Sequence, residues 1–134
     1  MILLDTGILA AYVNNKDENH ERAVIVLEEI LNKKYGTPII TDYILDEVVT
    51  LLNIRTKRKE LAIKIGTKII EEKLGKYFKI PAEVVEKTWL TYKILVEKGL
   101  SFTDCSIIEF GKFINCETVA TFDGGFNGIL QIIN

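Results

Sequence analysis

The first seven residues constrain the fold of this chain more strongly than any other segment. Ile2–Leu4 is a run of three large apolar residues, and Asp5, Thr6 and Gly7 follow it directly. An apolar run without alternation predicts a short strand buried on both faces, and the carboxylate and glycine predict a tight turn at its end. Such a strand belongs at the centre of a sheet. Ligands of open parallel sheets bind in a crevice outside the carboxyl ends of the strands, so Asp5 is predicted to lie at the ligand-binding end of the sheet.

The rest of the chain alternates between helical and strand patterns. Residues 7–13 form a short apolar segment, and residues 14–19 form a polar loop. Helices are then predicted at 21–34, 42–55, 56–74, 81–98 and from 103 onward, and strands at 37–41, 77–80, 116–122 and, at an edge, 129–133. This order predicts an α/β fold with three α/β/α layers around a central, mostly parallel sheet.

Two of these helices carry predictions about individual side chains. In the helix at 81–98, Trp89 is predicted to pack inward. In the helix that follows residue 100, Thr103 is a candidate N-cap and Asp104 lies in the first turn, where a negative charge is favourable.

Length and charge limit the classes of protein to which the chain can belong. Its 134 residues, 48% of them hydrophobic, suffice for one well-covered core, so a single domain over residues 1–134 is predicted. The net charge of −2 lacks the basic excess typical of nucleic-acid-binding proteins. The negative net charge does not exclude a nucleic-acid-binding protein, because divalent cations held by carboxylates make the local charge positive.

Cysteine, histidine and hydropathy patterns argue against several kinds of site. Cys105 and Cys116 are the only cysteines and His20 is the only histidine, so neither a disulfide framework nor a zinc site is predicted. Both thiols are predicted to be buried. The chain has no apolar run of about 18 residues and no secretory signal pattern, which predicts a cytoplasmic protein without a membrane association.

Four acidic residues occupy positions that a parallel sheet would bring to one end. Asp5 and Asp123 each follow a predicted strand, Asp104 opens a helix, and Glu47 interrupts the nearly apolar surface of another helix. Hard divalent cations such as Mg²⁺ or Mn²⁺ prefer oxygen ligands and retain several waters. A few carboxylates without histidine or cysteine therefore predict a site for such a cation, which could activate water and stabilise charge on a phosphate.

These residues resemble the PIN-domain nucleases and, among them, the VapC-like toxins of prokaryotic toxin–antitoxin pairs. The resemblance spans essentially the whole chain. Its motifs are LDT at 4–6, Glu47 in the helix from Asp42, LSFTD at 100–104 and ATFD at 120–123. Each motif alone is weak, but four acids in this order and with these flanks are specific in combination. The chain departs from the usual pattern at Cys105 and at 124–125, which bears on substrate positioning more than on metal binding.

The resemblance implies a metal-dependent endoribonuclease that hydrolyses RNA phosphodiester bonds. Asp5, Glu47 and Asp104 would hold one or two Mg²⁺ or Mn²⁺ ions, and Asp123 would complete the set. Thr6 and Thr121 would support these acids by hydrogen bonding. The resemblance also implies a homodimer and a cognate antitoxin protein that covers the acidic site.

Structural roles compete with the functional interpretation of each acid. Asp5 could have the structural role of ending a strand, and Asp104 that of a favourable charge in the first turn of a helix. Glu47 could be a solvated residue beside Asp46, and Asp123 could have the structural role of starting a turn. Further competing assignments concern residues outside the acidic set. Asp42 and His20 are interpreted as helix-start residues, and Trp89 and the tyrosines as core or dimer-surface residues rather than base-stacking platforms.

A basic segment is the candidate for RNA contact. It comprises Arg55, Lys57, Arg58 and Lys59, with Lys64 and Lys68 beyond it, and a solvated helix face is the favoured alternative for it.

Two other functions remain open. An aspartyl-phosphate phosphatase is disfavoured because Gly7 stands where that chemistry usually needs a second Asp. A catalytically silent module that binds RNA or a protein is the alternative to the nuclease.

Overall fold

The computed structural model describes residues 1–134 and contains a five-stranded parallel sheet. The strand order is β3-β2-β1-β4-β5, so the first strand is the central one, as predicted. In the register, Leu3 of β1 pairs with Ile39 of β2 on one side and with Val119 of β4 on the other. The strands are β1 Ile2–Leu4, β2 Pro38–Thr41, β3 Lys76–Phe78, β4 Thr118–Ala120 and β5 Gln131–Ile133.

Six α-helices flank this sheet, which confirms the predicted α/β class. They are α1 Thr6–Val13, α2 His20–Leu31, α3 Asp42–Thr56, α4 Lys59–Ile70, α5 Ala82–Leu95 and α6 Phe102–Ile114, with 3₁₀ turns at Val96–Lys98 and Gly124–Phe126. The buried apolar side chains form one continuous cluster that reaches from β1 to Phe126. Both cysteines are buried in it, as predicted. None of the helices combines the length and the apolar character needed to cross a bilayer.

The topology creates a crevice between β1 and β4. From β1 the chain moves outward through β2 to β3, and then returns through α5 and α6 to β4 on the other side of β1. Neighbouring strands whose connections run in opposite directions leave space at their carboxyl ends, and this is where ligands of such sheets bind. Asp5 directly follows β1, and Asp123 lies three residues beyond the end of β4.

The predicted tight turn at Asp5 was wrong, and the apolar segment at 7–13, for which no element was predicted, is part of a helix. The helix α1 begins at Thr6, immediately after β1, and Asp5 is its N-cap. The Asp5 carboxylate accepts a hydrogen bond of 2.6 Å from the backbone N–H of Thr6, so it satisfies a helix-start donor instead of closing a turn.

Two predicted helices were too long. The helix predicted at 56–74 is α4, Lys59–Ile70, because Lys57 adopts a left-handed conformation that separates it from α3. Glu72 has a φ of 53°, which prevents α4 from continuing at its C-terminal end. The helix predicted at 81–98 ends as α5 at Leu95 and continues only as a 3₁₀ turn.

The prediction that Trp89 packs inward was also wrong. Its exposed fraction is 53%, because the fully buried residues of α5 are only Val84 and Thr88, which leaves Trp89 on the outer face. There it stacks on Tyr92, with a centroid separation of 5.9 Å.

Close packing of α6 on the sheet predicts an effect of one glycine substitution. A Cβ on Gly111 would lie 2.7 Å from the backbone oxygen of Cys116 and 3.2 Å from Leu3 Cδ1. We expect Gly111→Ala to lower the free energy of unfolding by about 1–3 kcal/mol. Gly66→Ala in α4 is the control, because its Cβ would meet only side chains, those of Val49 at 3.3 Å and Leu45 at 3.8 Å, and the helix gains about 1 kcal/mol in propensity. Urea unfolding that ranks Gly66→Ala as the more damaging change would contradict this packing.

Candidate active site

The carboxylate of Asp5 lies at the centre of the acidic end of the sheet. Its backbone N–H donates to the Ala120 oxygen at 3.1 Å, which extends the pairing of β1 with β4 by one residue. Its Oδ1 accepts from the Thr6 N–H at 2.6 Å, and its Oδ2 accepts from the Thr121 hydroxyl at 2.6 Å. The side chain is almost fully buried. Strand pairing, helix capping and a cross-strand hydroxyl therefore fix both its position and its rotation.

Glu47 reaches the same region from α3. Its Oε2 accepts a 2.5 Å hydrogen bond from the Thr6 hydroxyl, so Thr6 contacts two of the predicted acids at once. Glu47 is half-buried, whereas the neighbouring Asp46 is exposed. Of these two acids on α3, only Glu47 is hydrogen-bonded to the residue beside Asp5.

Asp104 enters the site from the first turn of α6. Its Oδ2 accepts from the Ser101 N–H at 2.7 Å, and its own N–H donates to Ser101 Oγ at 3.1 Å. This reciprocal pair is a capping box. The predicted N-cap at Thr103 was wrong because Ser101, two residues earlier, occupies that position. Ser101 was not predicted as a cap, although the spacing Ser-x-x-Asp is the signal of a capping box.

Asp123 stands at the exposed rim of the site. It is the N-cap of the 3₁₀ turn, where its Oδ1 accepts from the Gly125 N–H at 2.7 Å. Its own N–H donates to the Thr121 hydroxyl oxygen at 2.9 Å. The Thr121 hydroxyl therefore links Asp5 to Asp123, which is the supporting position predicted for it.

Burial and mutual repulsion perturb the titration of two of these acids. Burial, helped by the charges of Asp104 and Glu47, raises the pKa of Asp5 to about 6, and the hydrogen bonds from Thr121 and Thr6 partly oppose this rise. Burial also raises the pKa of Asp104, with contributions from Asp123 and Glu47. Asp104 thus lies within electrostatic range of each of the other three acids, and Asp5 within range of Asp104 and Glu47.

No protein cation neutralises this cluster. The ion pairs of the structure all lie elsewhere, and none includes Asp5, Glu47, Asp104 or Asp123. At the same time, no group of three or more acidic, histidine or cysteine side chains is close enough to hold an ion directly. An all-oxygen donor set with excess negative charge and this spacing fits a hydrated divalent cation, which keeps several of its waters, better than a closed protein cage.

The basic residues predicted to contact RNA are not equivalent. Arg55 lines two cavities at the acidic end, one of which also contains Glu47. Arg58 is paired with Glu60 at 2.7 Å. Lys57 lies between α3 and α4, and Lys59 is the first residue of α4; both are exposed. Only Arg55 is therefore brought to the site.

Comparison with known protein families identifies the family of this chain. The profile of the PIN domain matches residues 2–129, a range that includes all four acids. This chain belongs to the PIN-domain family. The resemblance found in the sequence is thereby confirmed at the level of the family.

Relatives of this PIN domain include VapC proteins. A VapC ribonuclease of Archaeoglobus fulgidus is 35% identical over 104 residues, which cover 76% of this chain and 64% of the relative. The chain therefore spans slightly less than two thirds of that relative's length.

Solved structures show the same fold. VapC20 of Mycobacterium tuberculosis, described as a toxin that cleaves the sarcin–ricin loop, has a TM-score of 0.84 at 23% identity, with full coverage of both chains. VapBC2 of Rickettsia felis, bound to a DNA fragment from its promoter, has a TM-score of 0.69 at 22% identity, covering 100% of this chain and 98% of the other. FitAcB of Neisseria gonorrhoeae has a TM-score of 0.68 at 20% identity, covering 100% and 97%.

The raised pKa of Asp5 predicts how this PIN domain responds to pH without metal. Between pH 3.8 and about 6, the folded protein binds more protons than the unfolded chain, so stability falls as the pH rises and stays reduced above this range. Asp5→Asn removes the buried charge and keeps the shape. We expect it to raise the free energy of unfolding at pH 7.5 in EDTA by up to about 3 kcal/mol, with the gain vanishing near pH 4.

The exposed Asp46→Asn is the matched control, and its effect should be small at both pH values. Thermal unfolding at pH 4 and pH 7.5 measures both variants. A loss of stability in Asp5→Asn of equal size at the two pH values would contradict the account.

Proposed function

We propose that this chain is a single PIN domain over residues 1–134 that acts as a metal-dependent endoribonuclease and is the toxin of a type II toxin–antitoxin pair. The observation that carries the proposal is the buried Asp5 carboxylate, which Thr121 and Thr6 hold rigid among other acids and which takes part in none of the salt bridges. Unneutralised, buried carboxylates destabilise a fold, so their retention favours a function. The VapC ribonuclease relative supports RNA as the substrate, which would place the protein in the cytoplasm.

Asp5, Glu47, Asp104 and Asp123 are the residues that would hold Mg²⁺, or Mn²⁺ in its place. When bound, such a cation supplies a Lewis acid that lowers the pKa of a water and stabilises charge on a phosphate. Asp5 would be the innermost ligand because it is the most deeply buried of the four, and Asp123 at the rim would face the incoming RNA.

The chain's own residues prepare this site by holding the acids in place. The Thr121 hydroxyl restrains Asp5 through its side chain and Asp123 through its backbone. The Thr6 hydroxyl restrains Glu47, and the Ser101 cap restrains Asp104. These bonds reduce the reorganisation needed when a ligand binds, which is the usual role of residues behind a metal ligand.

The basic residues would contribute contacts to the RNA backbone. Arg55 would act next to the acids, whereas Lys57, Arg58 and Lys59 would contact phosphates further along the strand. Such contacts add affinity without sequence information.

Two protein partners are part of the proposal. Exposed apolar side chains on α5 and α6, namely Trp89, Leu90, Ile94 and Phe113, support a homodimer through this face. Ile54 and Ile63 line an apolar cavity of about 410 Å³ between α3 and α4, and Ile54 also lines the cavity of Glu47. An antitoxin protein that packs on Ile54 and Ile63 would therefore cover the acids.

A catalytically silent PIN module that binds RNA or a protein is the second candidate. The observation that favours it is the spacing of the acids, since no three of them are close enough to share an ion directly. Thermal unfolding with increasing Mn²⁺ distinguishes the two functions, because an ion that binds only the folded state raises the melting temperature by mass action. The nuclease requires such a rise, and it should be lost in Asp5→Asn.

Cleavage of RNA tests the main proposal directly. Purified protein with Mg²⁺ or Mn²⁺ is incubated with a panel of structured RNAs, beside an EDTA control. We expect metal-dependent cutting by the wild type, and a decrease of at least about 100-fold in Asp5→Asn and Glu47→Gln, because each loses a charge at the site of phosphate attack.

Asp46→Asn is the matched control for Glu47→Gln, since it removes a charge from the adjacent, exposed position of α3. It should keep nearly full activity. Cutting that persists equally in Asp5→Asn would indicate a contaminating nuclease and would contradict the assignment of the site.

A further inference from the structure

A cavity next to the acids carries an inference about substrate recognition. It has a volume of about 280 Å³ and lies between the loop that joins α1 to α2, the last turns of α3 and the segment after β4. We propose that this cavity is a subsite for one unstacked nucleobase of the RNA, next to the bond that is cut. The inference rests on the proposed ribonuclease function, which it deepens by adding base recognition.

The cavity adjoins the buried acid directly. Gly7 forms part of its wall, and a Cβ on Gly7 would lie 3.8 Å from Asp5 Oδ2. Its other wall is shared, because Leu51 and Arg55 line both this cavity and the one that contains Glu47. A strand whose phosphate lies at the acids would therefore present a neighbouring base to this cavity.

The lining has the features that bind single-stranded RNA bases. Phe122 is half-buried and offers an aromatic ring, and Arg55 offers a planar guanidinium that takes part in none of the protein's salt bridges. Proteins recognise unstacked bases by stacking them on aromatic rings or guanidinium planes and by hydrogen bonding to their edges.

Asn19 provides the group that would read a base edge. It occupies the N-cap position of α2, where an asparagine normally accepts a hydrogen bond from the helix backbone, yet its side chain makes no such bond. Asn19 is also one of the residues that line the cavity. Asn14, on the same loop, uses only its Oδ1, which accepts from the Lys16 N–H, and its amide N–H₂ remains available.

The charges around the cavity favour a base over a phosphate. Asp17 and Glu18 are also part of its lining, and they would repel an anionic phosphate placed there. A nucleobase is neutral and does not incur this repulsion. The phosphates are therefore expected to lie on the Arg55 side, toward the acids, while the base points into the cavity.

A binding experiment without catalysis tests the subsite by itself. The ¹⁵N-labelled protein in EDTA is titrated separately with the four nucleoside 5′-monophosphates and with inorganic phosphate, and the amide signals are followed by NMR. We expect at least one nucleotide, but not phosphate, to shift the signals of Asn19 and Phe122. The inference is overturned if no nucleotide shifts them, or if phosphate alone shifts them equally.

Matched variants connect this binding to recognition. Asn19→Ala should weaken nucleotide binding by about tenfold, and Phe122→Leu, which retains an apolar side chain, should do the same through lost stacking. Asn53→Ala, at an exposed asparagine of α3 outside the cavity, and Phe78→Leu, at an exposed phenylalanine of β3, should bind as the wild type does. Equal weakening by the control variants would overturn the inference.

Cleavage of an RNA pool with randomised bases separates failure of this subsite from failure of the nuclease. The wild type should prefer one base next to the cut, and Asn19→Ala should reduce that preference by about tenfold while it still cuts. An unchanged preference in Asn19→Ala overturns the subsite and leaves the nuclease intact. Selective nucleotide binding without any cleavage of RNA supports the subsite and contradicts the nuclease.

Discussion

The hydrogen bond between the Thr121 hydroxyl and the Asp5 carboxylate joins the two halves of the molecule at its acidic end. Asp5 ends the central strand and caps α1, whereas Thr121 follows β4, which the chain reaches only after passing through all six of its helices. The contact therefore forms only when β1 and β4 are paired in register. Because Asp5 also caps α1 through Thr6, the same carboxylate is an element of the fold and the deepest residue of the proposed metal site.

This dual role has an electrostatic cost. A buried carboxylate surrounded by other acids prefers to be protonated, which is why the pKa of Asp5 lies near 6. Natural proteins retain such destabilising groups mainly at functional sites. A divalent cation would remove the repulsion between Asp5, Glu47 and Asp104, so metal binding and folding stability are expected to be coupled in this protein.

Sequence patterns predicted the elements that depend on local rules. The buried run Ile2–Leu4, the parallel sheet and the helix that begins near Asp104 were predicted because apolar patterns are encoded within a few residues, although the cap of that helix is Ser101 and not Thr103. The orientation of Trp89 and the length of α4 were not, because they depend on which helix face meets the sheet and on backbone conformations such as that of Lys57. Likewise, the sequence could not distinguish Arg55 from its basic neighbours, since only tertiary packing brings it to the acids.

The most direct test is a titration of the Asp5 carboxyl group by ¹³C NMR, with and without Mg²⁺. We expect the Asp5 carboxyl group to have a pKa of about 6 in the metal-free protein, because burial and the neighbouring acids oppose its ionisation. This pKa should decrease clearly when Mg²⁺ is added. A pKa close to the ordinary value of 3.8 that does not respond to Mg²⁺ would contradict this expectation. Asp5 would then be a helix cap at the end of a strand, and the acidic end of the sheet would not be a metal site.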